Sequence, residues 1–258
     1  MFERYVAIGD STTEGLDDPD GRGGYRGWAN RLAERLAAAN GSVLYANLGV
    51  RGLKTRQIRE TQLAKALAMR PDVATVVSGT NDMMGWRFDA RAFATDVEAM
   101  QRAMRDAGAT VLTFTLPDVS KLMPIARPFR ARLHRMNDAL REVSARTGTR
   151  LIDFASHDSA TDPRFWSDDR LHANSLGHER IAEALAHALG LPGATQPGTH
   201  PHEPTPRPGV HTMMAAELAW SRRHLAPWIL RRLRGASSGD GLVAKRPALE
   251  PMKSILPT

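Results

Sequence analysis

Five short apolar runs, separated by longer amphipathic segments, constrain the fold of this chain more than any other feature of its sequence. The runs are Tyr5–Ile8, Val43–Asn47, Val73–Val77, Thr110–Thr115 and Arg150–Phe154. In the segments between them, apolar residues return at helical spacing, as at Trp28, Leu32 and Leu36. Strands that alternate with helices build a parallel sheet with helices on both faces. The sequence therefore predicts an α/β domain over residues 1–192: a doubly wound, three-layer α/β/α sandwich around a five-stranded parallel sheet.

The composition changes after residue 192. Residues 193–210 are rich in proline and are predicted to form an extended linker. Residues 211–235 combine tryptophan, leucine and isoleucine with arginine, and are predicted to form a basic amphipathic helical segment. Residues 236–258 are predicted to be a disordered tail. Much of the net charge of +7 lies in this region, because residues 195–258 hold nine Lys and Arg against four Asp and Glu.

The basic segment allows two interpretations. Its apolar side chains could pack on the protein's own surface, which we favour, or the segment could lie on an anionic membrane as an interfacial helix. The rest of the chain is nearly neutral, and the arginines of the tail form no recognisable nucleic-acid-reading module. We therefore expect no nucleic-acid partner.

Cysteine is absent from the chain, which excludes a thiol nucleophile and disulfide bonds. The N-terminal residues lack the basic and then apolar pattern of a signal peptide. No stretch reaches the roughly 20 apolar residues that a membrane-spanning helix needs. From these observations we predict a cytoplasmic protein.

Small and polar residues follow four of the predicted segments, at the sheet edge where ligands bind to parallel α/β folds. The stretches are Gly9-Asp10-Ser11 after the first strand, Asn47–Thr55 after the second, Gly79-Thr80-Asn81-Asp82 after the third, and Asp169-Arg170-Leu171-His172 beyond the fifth. One edge therefore receives a hydroxyl, a glycine backbone, an amide and a carboxylate–imidazole pair. Acyl transfer requires these groups.

Each of these groups has a chemical role available to it. The hydroxyl of Ser11 becomes a nucleophile when a base accepts its proton, and His172 is the candidate base. Asp169, three residues earlier, would hold the imidazole in the required tautomer and stabilise its positive charge. The backbone N–H groups of Ser11 and Gly52 and the side-chain amide of Asn81 could together bind the oxyanion.

The four stretches resemble, in order and placement, the four sequence blocks of the SGNH hydrolase superfamily, also called GDSL esterases and lipases. The resemblance covers about residues 4–190. It implies a flavodoxin-like fold with no metal and no cofactor. It also implies the roles of five residues: Ser11 as nucleophile, His172 as base, Asp169 as its partner, and Gly52 and Asn81 as oxyanion donors.

The first block departs from the family pattern, and the second contains two candidate glycines. Thr12 stands where the family name expects leucine, a difference that leaves the catalytic atoms unchanged. The second block contains both Gly49 and Gly52. The spacing between Asn47 and Gly52 favours Gly52 as the oxyanion donor, and Gly49 remains an alternative.

Residues beside the blocks are predicted to have supporting roles. Asp10 and Asp82 are expected to hydrogen-bond loop amides and hold the nucleophile and the oxyanion amide in place. His178, six residues beyond the candidate base, is expected on the surface. Trp86 and Trp166 flank the catalytic loops and could line a substrate pocket or pack in the core.

The sequence therefore predicts a cytoplasmic serine hydrolase that cleaves carboxylic esters of small or medium acyl groups, with a small-molecule ester as its partner. Within enzymes, the alternative is a thioesterase or lysophospholipase acting on lipid acyl chains. Outside enzymes, the alternative is a non-catalytic adaptor that works through the basic C-terminal helix. The complete set of catalytic side chains argues against the adaptor, because a scaffold does not need them.

Overall fold

The structure, a computed structural model, describes residues 2–195, 219–227, 230, 239 and 241–253. Its centre is a six-stranded sheet. The strands are β1 (Arg4–Gly9), β2 (Ser42–Asn47), β3 (Val73–Val77), β4 (Thr110–Phe114), β5 (Arg150–Ile152) and β6 (Arg246–Lys253). Their order across the sheet is β5-β4-β3-β1-β2-β6. The first five strands run parallel, and β6 runs antiparallel to β2 at the edge.

Helices cover both faces of this sheet. They are α1 (Ser11–Glu14), α2 (Gly27–Asn40), α3 (Thr55–Ala68), α4 (Thr80–Met83), α5 (Ala90–Asp106), α6 (Arg130–Thr147) and α7 (Ser175–Leu189). α2 and α7 pack on one face, α3 and α5 pack on the other, and α6 lies against α5. The predicted three-layer α/β/α sandwich is confirmed.

The central strands are apolar along their whole length because both of their faces are covered. All residues of Val73–Val77 are buried. Trp28 and Leu32 of α2 pack on one face of the sheet, and Met100 and Met104 of α5 pack on the other. Complete burial of a large apolar side chain contributes about 1.5–3 kcal/mol. These contacts fix the sheet, and with it the strand ends that carry the polar stretches.

β6 corrects two predictions. The sheet has six strands rather than five, and residues 246–253 form a strand where we expected disorder. Pro247 and Pro251 argue against a strand at the sequence level, because proline cannot donate a backbone hydrogen bond to a sheet. An edge strand has one side without partners, so proline is tolerated there. Arg246 also anchors the strand, since its guanidinium carbon lies 5.2 Å from the centre of the Tyr45 ring.

The segment between β4 and β5 becomes α-helical only at Arg130. Residues Pro124–Phe129 form a 3₁₀ helix, and the α-helix α6 starts at Arg130. Pro128 lacks an N–H group and its ring crowds the preceding turn, which disfavours a regular α-helix before it.

Most of the predicted linker and basic helix, residues 196–218, 228–229 and 231–235, lies outside the described residues. Between these gaps, Ser221–Leu225 forms a π-helical turn.

Further along, Lys245 joins the tail to the main domain, because its Nζ donates to the carbonyl oxygens of Tyr25 and Arg26, both at 2.8 Å. Within the parts of the chain that the structure describes, no helix has the length and apolar character needed to cross a membrane.

Candidate active site

The predicted site residues meet at the carboxyl edge of the sheet, between β1 and β3. These strands are neighbours, and the chain leaves them toward opposite faces of the sheet. Such a switch point opens a crevice that ligands can enter. Ser11 begins α1 shortly after β1, and Asn81 lies in α4 shortly after β3.

The turn from β1 into α1 depends on glycine at position 9. A Cβ atom there would lie 2.1 Å from Oγ1 of Thr13 and 2.4 Å from the carbonyl oxygen of Val77, which is closer than real atoms approach. The side-chain amide of Gln62 forms two hydrogen bonds with the backbone of this glycine. Gly9 N–H donates to Oε1 at 2.8 Å, and Nε2 donates to the Gly9 carbonyl oxygen at 2.9 Å. The end of β1 is thereby fixed, and Ser11 is held at the sheet edge.

Ser11, His172 and Asp169 form one hydrogen-bonded series. Nε2 of His172 lies 2.9 Å from Oγ of Ser11, and Nδ1 of His172 lies 2.6 Å from Oδ2 of Asp169. With Nδ1–H donating to the carboxylate, Nε2 is left to accept the proton of the hydroxyl. The structure therefore brings together the three predicted catalytic residues with the atoms in the order that base catalysis needs.

The surroundings of Asp169 and His172 favour the charged form of both side chains. The Asp169 carboxylate is mostly buried, which opposes its ionisation, but the His172 side chain and the local donors outweigh this and hold the pKa of Asp169 far below its usual range. The other oxygen, Oδ1, accepts from Oγ of Ser167 at 2.7 Å and from the N–H groups of Leu171 and His172 at 2.8 and 2.9 Å. Burial also works against charge on His172, yet the Asp169 carboxylate raises the pKa of the imidazole above its ordinary value.

Three residues with candidate N–H donors, Ser11, Gly52 and Asn81, line the same cavity. Ser11 and Gly52 both line it, and within the described residues neither backbone N–H donates a hydrogen bond. Gly52 has a φ of 81°, a left-handed conformation that glycine adopts without strain. Nδ2 of Asn81 donates to the carbonyl oxygen of Leu53 at 3.0 Å and, at a longer 3.3 Å, to Oδ2 of Asp10.

The two glycines of the second block differ in what their N–H groups do. The N–H of Gly49 donates to Oδ1 of Asn47 at 2.9 Å. A Cβ at Gly49 would also lie 2.7 Å from the backbone nitrogen of Glu14, so this glycine serves close packing. Its N–H is already used inside the loop, in contrast to that of Gly52.

Two carboxylates, the buried Glu14 and the half-buried Asp82, join the loops that carry these donors, and sequence reasoning missed Glu14. Glu14 of α1 forms a bidentate ion pair with Arg51 and accepts from the Arg51 backbone N–H at 2.9 Å, directly before Gly52. Oδ2 of Asp82 accepts from the N–H and Oγ1 of Thr55, at 2.9 and 2.8 Å. As a result, the loop after β2 is hydrogen-bonded to the segments after β1 and β3.

Asp10 has the supporting position that the sequence predicts. Its Oδ1 accepts from the N–H of Thr12 at 3.1 Å, which caps α1, and its Oδ2 accepts from the amide of Asn81. Burial raises the pKa of Asp10 to about 6. Asp82 contacts Thr55 rather than Asn81, so it positions the loop of Gly52.

His178 is buried, with 1% of its surface exposed, and the predicted surface position is wrong. Its Nδ1 accepts from the N–H of Trp28 at 3.1 Å, so its Nε2 donates to the carbonyl oxygen of Leu16 at 3.0 Å. Burial lowers the pKa of His178 to about 4, which keeps the ring neutral. The residue ties α7 to the start of α2 and to the segment after α1.

A cavity of about 530 Å³ opens beside Ser11 and His172. Apolar side chains that form much of its wall include Met83, Met84, Met123, Ile125, Phe129 and Leu133. A smaller cavity of about 150 Å³ also reaches His172 and is lined by Phe114, Phe154, Phe165 and Trp166. Trp86, in contrast, is 78% exposed. The site therefore combines the polar side chains of the hydrogen-bonded series with mainly apolar walls, as small-molecule sites commonly do.

Asp17, Asp169 and His172 are the one group of side chains in the described residues whose ligand atoms approach metal-binding distances, within 4.8 Å of one another. The two nitrogens of His172 already contact Asp169 and Ser11. We therefore assign Asp169 and His172 of this group to the hydrogen-bonded series.

Solved structures of several esterases share this fold. A lipase/acylhydrolase from Enterococcus faecalis superposes with a TM-score of 0.60 at 23% identity, covering 77% of this chain and 100% of that one. The acetylxylan esterase Axe2 from Geobacillus stearothermophilus gives a TM-score of 0.60 at 16% identity, covering 73% and 94%. The esterase EstA from Pseudoalteromonas, inhibited by monoethylphosphonate, gives 0.57 at 16% identity, covering 73% and 97%. The fold is that of the SGNH-type esterases.

The sequence also matches the GDSL-like Lipase/Acylhydrolase family over residues 7–180. The chain belongs to this family, and it is an enzyme of the esterase and lipase type. The match includes every residue of the hydrogen-bonded series and the three donors. A search of curated proteins finds no match.

Proposed function

We propose that this protein is a serine esterase that hydrolyses carboxylic esters of small or medium acyl groups through an acyl-enzyme on Ser11. The observation that carries the proposal is the series from Oγ of Ser11 through His172 to Asp169, with distances of 2.9 and 2.6 Å. A hydroxyl held against a neutral imidazole nitrogen at this distance can lose its proton as it attacks a carbonyl carbon.

The reaction proceeds in two half-reactions. In the first, Oγ of Ser11 bonds to the ester carbonyl carbon while Nε2 of His172 takes the hydroxyl proton. The resulting imidazolium, stabilised by Asp169, gives that proton to the departing alcohol, and the acyl group remains on Ser11. In the second, a water molecule attacks the acyl carbon while His172 takes one of its protons. The bond between the acyl carbon and Oγ of Ser11 then breaks, His172 returns the proton to Oγ, and the carboxylic acid leaves.

We assign the oxyanion donors to the N–H groups of Ser11 and Gly52 and the amide of Asn81. Among the described residues, the N–H groups of Ser11 and Gly52 have no acceptor, which supports this assignment, whereas the N–H of Gly49 donates to Asn47. The long 3.3 Å contact from Asn81 to Asp10 is the one that an oxyanion would replace. The Leu53 carbonyl would keep the other amide hydrogen and hold the group in position.

The apolar cavity wall supports an ester substrate with a hydrocarbon acyl part. A thioesterase or lysophospholipase would use the same catalytic atoms on a longer chain, and the large cavity with its methionine-rich wall favours this as the second candidate. Oligosaccharide acetyl esters are a third class to test, since Axe2 is an acetylxylan esterase. The adaptor alternative is disfavoured because the catalytic atoms are fully assembled.

The function is tested by a panel of p-nitrophenyl esters from acetate to dodecanoate, together with acetylated xylan and a long-chain acyl thioester. We expect turnover of the p-nitrophenyl esters, with the highest kcat/KM at short or medium chain length. A fluorophosphonate probe should inactivate the enzyme, and mass spectrometry should locate the covalent adduct on the peptide that contains Ser11. Absence of turnover throughout the panel, or a label on a different residue, would refute the proposal.

Replacing Asn81 by alanine should lower kcat about 10²–10³-fold with a much smaller change in KM, because an oxyanion donor acts mainly in the transition state. The measurement is steady-state hydrolysis of the best p-nitrophenyl ester. Thr80→Ala is the matched control, since this neighbouring side chain lines the same cavity without a hydrogen bond to the catalytic atoms. A kcat within threefold of wild type for Asn81→Ala would remove Asn81 from the oxyanion site.

A further inference from the structure

The segment 220–227 lies over the catalytic edge although it is remote in sequence. It contributes four residues to the wall of the 530 Å³ cavity: Trp220, Arg223, His224 and Pro227. The guanidinium carbon of Arg170 lies 5.2 Å from the centre of the Trp220 ring, a cation–π contact. Arg170 stands in the loop between Asp169 and His172. The segment is therefore anchored on the loop that carries the catalytic base.

The cavity wall contains three arginines, and two of them are neutralised by partners. Arg51 is paired with Glu14. Arg130 places its Nε 2.9 Å from Oδ2 of Asp118. Arg223 is exposed, and among the described residues it has no ion pair or hydrogen bond. Arg223 therefore adds to the wall of this cavity a positive charge that has no protein partner among the described residues.

We propose that Arg223 is a specificity-determining residue that binds a carboxylate carried by the ester substrate. This inference rests on the proposed esterase function and narrows its substrate class. The guanidinium presents two parallel N–H groups that match the two oxygens of a carboxylate. One unpaired positive charge balances one negative charge, which a carboxylate supplies at neutral pH.

The apolar residues of the same cavity complement this assignment. The methionine, isoleucine and phenylalanine side chains near Met83 and Phe129 suit the hydrocarbon part of a substrate. A substrate with an apolar portion and an anionic end would contact both the apolar residues and Arg223. Ser11 and His172 line the same cavity, so the ester bond of such a substrate would meet the catalytic atoms there.

The experiment compares matched neutral and anionic esters on wild type, Arg223→Gln and Arg223→Lys. One pair, p-nitrophenyl valerate and mono-p-nitrophenyl glutarate, places the carboxylate on the acyl side. The other pair, methyl 4-acetoxybenzoate and 4-acetoxybenzoate, places it on the alcohol side. For at least one pair, Arg223→Gln should lower kcat/KM of the anionic ester about tenfold or more while changing the neutral ester less than twofold. Arg223→Lys should retain part of the preference.

Arg222→Gln is the matched control, because Arg222 is exposed, precedes Arg223 in the chain and does not line the cavity. It should leave both ratios unchanged. If the anionic-to-neutral ratio of Arg223→Gln equals that of wild type for both pairs, or if Arg222→Gln lowers it equally, the role of Arg223 is refuted. These results are distinct from failure of the esterase proposal, in which wild type would not hydrolyse the neutral esters at all.

Discussion

Replacing Ser11 by alanine should lower kcat/KM for ester hydrolysis about 10⁴–10⁶-fold, the loss typical of a removed triad nucleophile. Among the described residues, Ser11 provides the hydroxyl that lies within hydrogen-bond distance of Nε2 of His172. Without that hydroxyl, no acyl-enzyme forms, and only binding and oxyanion stabilisation of direct water attack remain. The measurement is hydrolysis of the best p-nitrophenyl ester at enzyme concentrations high enough to detect the residual rate.

Ser120→Ala is the matched control for this substitution. Ser120 lines the same cavity and is similarly buried, but it does not contact His172. Its replacement should change kcat/KM by less than a few-fold. Equal activity of Ser11→Ala and wild type in correctly folded protein, judged by circular dichroism and thermal unfolding, would contradict the assignment of the nucleophile.

Replacing Asp169 by asparagine should lower kcat about 10⁴-fold, the size of effect found when the carboxylate of a serine triad becomes an amide. The oxygen of the asparagine amide can still accept hydrogen bonds from the three donors that now bond to Oδ1 of Asp169. Its NH₂ group then faces Nδ1 of His172 and donates to it, which leaves the proton of the neutral ring on Nε2. In that tautomer, Nε2 cannot accept the proton of Ser11.

The pH dependence should change in the same variant, in a direction that follows from the pKa of His172. Protonated His172 cannot act as base, so kcat/KM of the wild type should rise with pH through a pKa above the ordinary value for histidine. Asp169→Asn removes the negative charge that favours the imidazolium while the burial that opposes it remains. The acid limb of the variant should therefore shift to lower pH, as measured from profiles over about pH 5–9.

Asp168→Asn serves as the control for both measurements, because this neighbouring carboxylate is exposed and does not contact His172. It should leave kcat and the acid limb close to those of wild type. A shift of the Asp169→Asn profile toward higher pH, or an unchanged kcat, would show that Asp169 does not orient and stabilise the base.

Much of the fold and the location of the candidate site could be predicted because they depend on simple periodic patterns. Buried parallel strands are short and apolar, and their carboxyl ends share one edge. That rule is sufficient to expect Ser11 near His172, although the two are 161 positions apart. The β6 edge strand escaped prediction because its prolines imitate a loop and because its partner β2 is distant in sequence.

The residues that support the site were less accessible to sequence reasoning. Gln62 bonds Gly9, and Glu14 bonds Arg51, through long-range contacts that leave no local signal in the sequence. His178 did leave a signal. It precedes the buried Ala182 and Leu185 by four and seven positions, which places all three on one face of a helix.

The pairing of β2 with β6 has a consequence for how the protein is made. Leu44 lies opposite Pro251, so this part of the sheet joins positions more than two hundred residues apart. During synthesis, β2 and its parallel neighbours can assemble well before β6 leaves the ribosome, and the outer edge of β2 is then open. An open strand edge is a template for pairing with another chain. A chain that lost residues 246–253 would carry that edge permanently, and its main liability would be aggregation of nascent chains rather than loss of catalytic chemistry.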